Sequence, residues 1–279
     1  MKETRIDING IDYFIRQNNN DGPLVLMIHG WPDDSTMWRH QAEALTKAGY
    51  KVVAPDIPGF GLSGKPVNVE RYKVERLAED MFGILDHYGV DKAHVVAHDY
   101  GAVTGWTMVY GNPDRLLSYT AGSVGHFGTA ADTTLAEMER HWYFFAYQLS
   151  CNSQLFRAGN SRLLRYLTET HPDQDKVLNW MLEGDNLEQA WRWDLANSVG
   201  DLLVEGISGV YADLPPVTVP TMGIYGEDDY FLSERQMKET GKFMAAQWRY
   251  EKIEGGHWFM LHQPSKTNAL LLDWLQSCK

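Results

Sequence analysis

Residues 95–102 read V-V-A-H-D-Y-G-A. Asp99 has a small residue two places before it, Ala97, and another two places after it, Gly101, and an apolar β-branched pair leads in. That spacing suits a sharp strand-to-helix turn that lifts one side chain clear of the backbone, a turn that more often carries serine. A carboxylate at the tip needs no base to become a nucleophile, because it is ionised near neutral pH. It suits attack on a saturated carbon bearing a leaving group. The product is an alkyl ester, which a second step must hydrolyse. Three further segments fit that second step. His257 in G-G-H-W, oriented by Asp229 in G-E-D-D-Y in preference to Asp228, would activate water. The backbone N–H groups of Trp31 in H-G-W-P and of Tyr100 would hold the oxyanion formed at the ester carbonyl.

Each of these segments ends a strand-like run. I-D-I-N-G-I-D-Y-F-I-R-Q (6–17) alternates about a central N-G and predicts a hairpin. P-L-V-L-M-I-H-G (23–30) is a continuous apolar run, as expected of a buried parallel strand. Helical spacing follows at 36–48, a strand at 51–56, an amphipathic helix at 70–88, a strand at 93–99, a helix at 101–111 and an apolar run at 117–124. This alternation predicts a mostly parallel sheet flanked by helices. From 125 to 214 the pattern becomes helical and rich in aromatics, with no convincing strand. Strand-like segments resume at 215–226 and 250–255, and a helix at 264–276 closes the chain. The expected organisation is an α/β core, 1–124 and 215–279, split by a helical cap at 125–214. Ligands in such sheets lie beyond the carboxyl ends of the strands, where a cap would form a lid.

The 279 residues are enough to bury a substantial core. A net charge of −12 makes a polyanion-binding surface an unsuitable reading, so nucleic acid is not expected as a partner. The polar N-terminus lacks the apolar stretch of a signal peptide, and no apolar run is long enough to span a bilayer. Cys151 and Cys278 do not make a disulfide framework, and two free thiols fit a reducing compartment. The expectation is a cytoplasmic protein that meets no membrane; homo-oligomerisation is left open. No metal-ligand spacing and no phosphate-binding glycine loop is present, so no metal and no cofactor is expected.

The order nucleophile, acid, histidine is that of the α/β-hydrolase fold. H-G-W-P-D-D-S-T-M-W-R-H-Q (29–41), A-P-D-I-P-G-F-G-L-S-G-K-P (54–66) and A-H-D-Y-G-A (97–102) resemble the epoxide hydrolase branch of that fold, with haloalkane and haloacetate dehalogenases as near relatives. The resemblance covers nearly the whole core. It implies the fold and a covalent intermediate on Asp99. It also places the acid at the fourth position of G-x-x-D, here Asp229, because the alternative position used by some relatives is Ser123 in this chain.

The resemblance also implies where a leaving group is met. Epoxide hydrolases use cap tyrosines as acids, and Tyr143 in H-W-Y-F-F-A-Y-Q matches the first. Some bacterial members use a histidine where His141 stands, and fluoroacetate dehalogenases bind fluoride with an H-W pair that His141 and Trp142 match. The second tyrosine's place, before an arginine, is taken by Trp191, whose indole N–H is a donor only. Tyr100 and Val103 stand where fluoroacetate dehalogenases carry arginines, and Tyr100 stands where haloalkane dehalogenases carry a halide-binding tryptophan. Trp31 and Trp258 are expected to line the pocket and favour an apolar substrate. The reading is a hydrolase acting on a small, apolar epoxide with water. The alternatives are a haloalkane or haloacid dehalogenase using the same aspartate, a lactone or ester hydrolase, and a non-catalytic ligand-binding member of the fold.

Overall fold

The structure is a computed structural model and describes residues 1–198, 200, 204, 205, 208 and 210–278. Asn9 and Gly10 take φ of 51° and 80°, the conformation that a two-residue hairpin with the right twist requires at both central positions. They join β1 (Lys2–Ile8) to β2 (Ile11–Gln17) in an antiparallel pair. The apolar run becomes β3 (Leu24–Ile28), buried on both faces. A 3₁₀ turn then leads into α1 (Arg39–Lys47), followed by β4 (Lys51–Pro55), α2 (Val74–His87), β5 (Ala93–His98), α3 (Tyr100–Gly111) and β6 (Leu116–Gly122). On α2, Leu77, Ala78, Met81, Ile84 and Leu85 are buried at the spacing of one helical face, which packs that helix on the sheet.

The eight strands are ordered β1-β2-β4-β3-β5-β6-β7-β8. Only β2 runs against its neighbours; the other pairings are parallel. β7 (Thr221–Gly226) begins later than the expected 215, since Pro215, Pro216 and Pro220 have no N–H to give a ladder, and only Val217 makes an isolated bridge. β8 (Trp248–Ile253) and the helix Pro264–Ser277 complete the core. The sheet is the α/β core that the sequence predicts.

Strand order reverses between β3 and β5, which opens the crevice in which such sheets hold ligands. The register brings the ends together there: Ile28 pairs with Ala97, His98 with Gly122, Gly122 with Ile224, and Gly226 with Ile253. The loops bearing Trp31, Asp99, Asp229 and His257 therefore leave one edge of the sheet side by side.

Between β6 and β7 the described residues are helical, from α4 (Leu135–Arg140) and α5 (Trp142–Tyr147) through α6 (Asn152–Leu167) and α7 (Gln174–Leu182) to α8 (Asn186–Ala190) and α9 (Arg192–Ala196). α6 breaks at Ala158–Ser161, where three residues turn left-handed. This insertion is tied to the core beside the H-G-W-P loop by a buried His171–Asp33 pair at 3.2 Å and by Arg39–Asp173 and Lys176–Asp34 pairs at 2.8 and 3.0 Å. Among the described residues no helix is long and apolar enough to cross a membrane.

Candidate active site

β5 delivers Asp99 into the turn before α3 with φ 55° and ψ −124°, a strained conformation for a residue with a side chain. Holding it costs of the order of 1–3 kcal/mol, which the surrounding packing must supply. The turn is close enough to β3 that only glycine fits beside it: a Cβ on Gly101 would lie 2.3 Å from the Ile28 carbonyl oxygen. The Trp31 N–H donates to Asp99 Oδ1 at 2.7 Å, and the Tyr100 N–H also reaches the carboxylate. The Trp31–Pro32 peptide is cis. His29 fixes this loop from behind: its Nε2 accepts from the Ile57 N–H at 2.9 Å, so its Nδ1–H donates to the Gly30 carbonyl at 3.0 Å.

Asp229 is buried, whereas its neighbour Asp228 is exposed. Its Oδ2 meets His257 Nδ1 at 3.0 Å, and its Oδ1 accepts from the Phe231 and Leu232 N–H groups at 2.9 and 3.1 Å. Ser123, at the alternative acid position, donates to Asp229 instead. Gly226 allows the meeting, since a Cβ there would lie 2.2 Å from the Gly256 carbonyl oxygen. His257 Nε2 lies 3.7 Å from Asp99 Oδ2. The three residues that the sequence singles out are thus brought into one line.

The electrostatics follow from that line. Burial alone would lower the His257 imidazolium, but the charges of Asp229 and Asp99 outweigh it and raise it to about 10. Burial would raise Asp229, and the His257 charge instead brings it down to about 2. Asp99 responds likewise: burial pushes its carboxyl up, the hydrogen bond and charge of His257 push it down further, and it stays below the usual carboxylate range. His98 donates from Nε2 to the His257 carbonyl at 3.0 Å with its ring 4.4 Å from that of His257. Burial and the His257 charge bring it down to about 4, so it is a neutral support.

A small cavity of about 20 Å³ opens on Asp99. Trp31, Tyr100, Phe231 and His257 line its core side, and Tyr143, Phe144 and Tyr147 of α5 close it from the insertion. The Tyr143 side chain is buried with no hydrogen-bond partner among the described residues, and the Tyr147 hydroxyl is buried and unpartnered. The other aromatic candidates stand behind this wall. His141 donates from Nε2 to the Phe231 carbonyl at 3.0 Å and so braces the loop after Asp229. Trp142 packs edge-on to Tyr143 at 6.2 Å. Trp191 is fully buried against Tyr147 and Phe156, and its indole N–H has no partner. Trp258 lies between His171, Phe231 and His257. None of these four lines the cavity.

Four contributors escape the sequence reading, of which Phe144 is simply the neighbour of Tyr143 in the cavity wall. Tyr147 stands four residues after Tyr143, on the same face of α5, and that spacing is a usable signal. Phe231 packs on His257 at 5.0 Å and enters the cavity through the backbone turn that Asp229 caps. Asp194 of α9 accepts from the Tyr100 hydroxyl at 2.7 Å, and an aspartate inside W-R-W-D-L gives no hint of that burial.

The model of the α/β hydrolase fold family matches residues 23–264. Over 98% of this chain and 97% of its own length, epoxide hydrolase A of Mycobacterium tuberculosis is 29% identical. Epoxide hydrolase 4 of mouse is 26% identical over 98% of this chain and 78% of its own. The crystal structure of epoxide hydrolase A from Mycobacterium thermoresistibile superposes with a TM-score of 0.79 at 23% identity, covering 99% of this chain and 98% of that one. The strand order, the elbow at Asp99 and these matches together establish that the chain is a hydrolase belonging to the α/β-hydrolase fold family, and that it resembles the epoxide hydrolase branch over nearly its full length.

Proposed function

We propose that this chain hydrolyses small, apolar epoxides to vicinal diols through an ester on Asp99, with the segment 125–214 acting as the cap over a core of 1–124 and 215–279. The observation that carries this reading is a cavity lined on one side by the Asp99 carboxylate and on the other by Tyr143 and Tyr147, two tyrosines with no hydrogen-bond partner among the described residues. Opening an epoxide requires that pairing: a nucleophile for the ring carbon and a donor for the oxygen that leaves it. Asp99 attacks, the carbon–oxygen bond breaks, and the oxygen takes a proton from Tyr143 or Tyr147. Burial, with the nearby carboxylate charges, raises both phenols well above their ordinary range. They stay protonated until an alkoxide, a still stronger base, appears beside them.

The ester then prepares its own hydrolysis. His257 is held as imidazolium partly by the Asp99 charge, and alkylation removes that charge. His257 then gives its proton to solvent, and the neutral ring, kept in place by Asp229, takes a proton from water that it later passes to the departing alkyl oxygen. Hydroxide adds to the ester carbonyl, and the Trp31 and Tyr100 N–H groups receive the oxyanion. The bond from the carbonyl carbon to the alkyl oxygen breaks, the diol leaves, and the oxygen from water stays on Asp99.

The apolar aromatic wall and the small volume favour a compact substrate lacking charge. The names of the full-length relatives, epoxide hydrolases A and 4, support the same class. The dehalogenase alternative is weaker, since neither Trp142 nor Trp191 lines the cavity in which a halide would leave. A single turnover with enzyme in excess in ¹⁸O-water tests the reading. The label should enter the peptide that carries Asp99 and be absent from the first diol released. Label in that first diol would mean direct attack by water on the epoxide and would refute the covalent route.

A further inference from the structure

The chain between α6 and α7 reads T-E-T-H-P-D (168–173). Pro172 biases the residue before it away from the helical region, so α6 does not run on through His171. A turn closes there instead, with the His171 N–H on the Thr168 carbonyl at 2.9 Å. His171 Nδ1 accepts from the Asp173 N–H at 2.9 Å, so the ring hydrogen sits on Nε2. Nε2 donates to both carboxyl oxygens of Asp33, each at 3.2 Å, and the two side chains are buried. Among the described residues the Asp33 side chain has no other partner. Asp33 is the last residue of the turn that presents the Trp31 N–H. Its own N–H donates to the Gly30 carbonyl at 3.0 Å and closes Gly30–Asp33 with Trp31 inside, and the Trp31 N–H meets Asp99 Oδ1 at 2.7 Å. His29 holds one end of that turn from the core, and His171 holds the other from the insertion. The His171 ring also packs edge-on to Trp258 at 4.6 Å, and Trp258 packs on His257 at 5.1 Å. Beside it, His262 Nε2 donates to the Thr170 carbonyl at 2.8 Å. One short connection of the insertion is therefore lodged between the loop that carries an oxyanion donor and the loop that carries the base.

Resting on the epoxide reading above, we propose that His171 is a positioning residue for the second half of the reaction: through Asp33 it holds the Trp31 N–H on the oxygen that becomes the oxyanion. His171 itself does not line the cavity and takes no part in bond making. The two halves ask opposite things of the Trp31 N–H. When Asp99 attacks the ring carbon, its carboxylate gives up charge, and a hydrogen bond to Oδ1 weakens on the way to the transition state. When hydroxide adds to the ester, charge gathers on the carbonyl oxygen, and the same bond strengthens. A donor that drifts from its place therefore slows hydrolysis of the ester and spares its formation.

Single-turnover mass spectrometry on an epoxide that wild type turns over follows both halves. Loss of a whole oxyanion donor costs about 10²–10³ in rate, and the turn's own hydrogen bond keeps part of that. His171→Ala should therefore slow ester decay about tenfold or more and leave ester formation within about threefold, so that the Asp99 ester accumulates. His171→Gln, whose amide N–H can reach Asp33, should bring decay back to within about threefold of wild type. His171→Phe fills the space against Trp258 without a donor and should behave as alanine does; should His171→Ala not fold, His171→Phe carries the measurements. Equal slowing of both halves, or rescue by phenylalanine and not by glutamine, would overturn the proposal and leave His171 a packing residue. A second readout needs no substrate. Amide exchange at Trp31, followed by NMR, should quicken about tenfold in His171→Ala and return to the wild-type rate in His171→Gln, with the amides of β5 unchanged. An unchanged Trp31 amide would refute the hold on the turn. A quickened one in a chain that forms no Asp99 ester with any epoxide would uphold the hold and place the failure in the functional reading.

Discussion

Gly30→Ala places a methyl group where the chain has room for none. A Cβ at Gly30 would lie 2.3 Å from Asp99 Oδ1, 2.5 Å from Asp99 Cβ and 2.7 Å from the Tyr100 backbone nitrogen. Ordinary contact begins near 3.4 Å, so the carboxylate and the start of α3 must retreat by roughly 1 Å. The φ of Gly30 is not in the left-handed region, so alanine suffers no backbone penalty there and the cost is one of space. Overpacking of this kind destabilises by about 1–3 kcal/mol, which a protein of this size survives. The effect on rate should be far larger. The retreat lengthens the 2.7 Å bond from the Trp31 N–H and displaces the nucleophile from its line of attack. Loss of one oxyanion donor costs about 10²–10³ in rate, and a misplacement of about 1 Å costs on the order of 10². The expected result is a fall in kcat/KM for epoxide hydrolysis of about 10²–10³, with a melting temperature lowered by several degrees. Diol formation and thermal unfolding measure the two parts. A folded Gly30→Ala variant within threefold of wild type would refute the cradle assigned to Gly30, Trp31 and Asp99.

Further outcomes test the other parts. Asp99→Ala should abolish turnover with the fold intact, and Asp99→Gly should in addition gain about 1 kcal/mol by relieving the φ of 55°, measured by denaturant titration. Tyr143→Phe and Tyr147→Phe should each lower the rate of ring opening by about 10²-fold in stopped-flow, and the pair more than either; a double variant of wild-type speed would move the acid elsewhere. The folded-state value of His257 lies above the ordinary 6.5, at about 10, so the stability it contributes is complete below about pH 6.5 and is lost as pH rises through 10. The stability deficit of His257→Gln should therefore shrink between pH 7 and 10, and a constant deficit would contradict the ion-pair line.

Much of this was legible because local signals and packing agree. The N-G turn, the doubly apolar β3 and β5 runs and the 3.6-residue spacing of α2 each specify one element, and the sheet then follows from connection rules. The line Asp99, His257, Asp229 could be read because strand ends collect at one edge, so order along the chain translates into proximity. The insertion resists such reading. Its aromatic positions look alike in sequence, and packing alone decides that Tyr147 faces the cavity while Trp191 and Trp142 stand behind it. Asp194 resists for the opposite reason: a charged residue type predicts exposure, and only the fold reveals the Tyr100 hydroxyl that takes it in. The delayed start of β7 reflects three prolines that hydrophobicity alone does not penalise.

The most direct test of the central claim is intact mass of the His257→Gln variant after incubation with epoxides and, separately, alkyl halides. Without the base the ester should accumulate. The account predicts an adduct equal to the whole mass of the epoxide, carried on the peptide containing Asp99. An adduct from alkyl halides alone, or no adduct on Asp99 while wild type still makes diol, would contradict it.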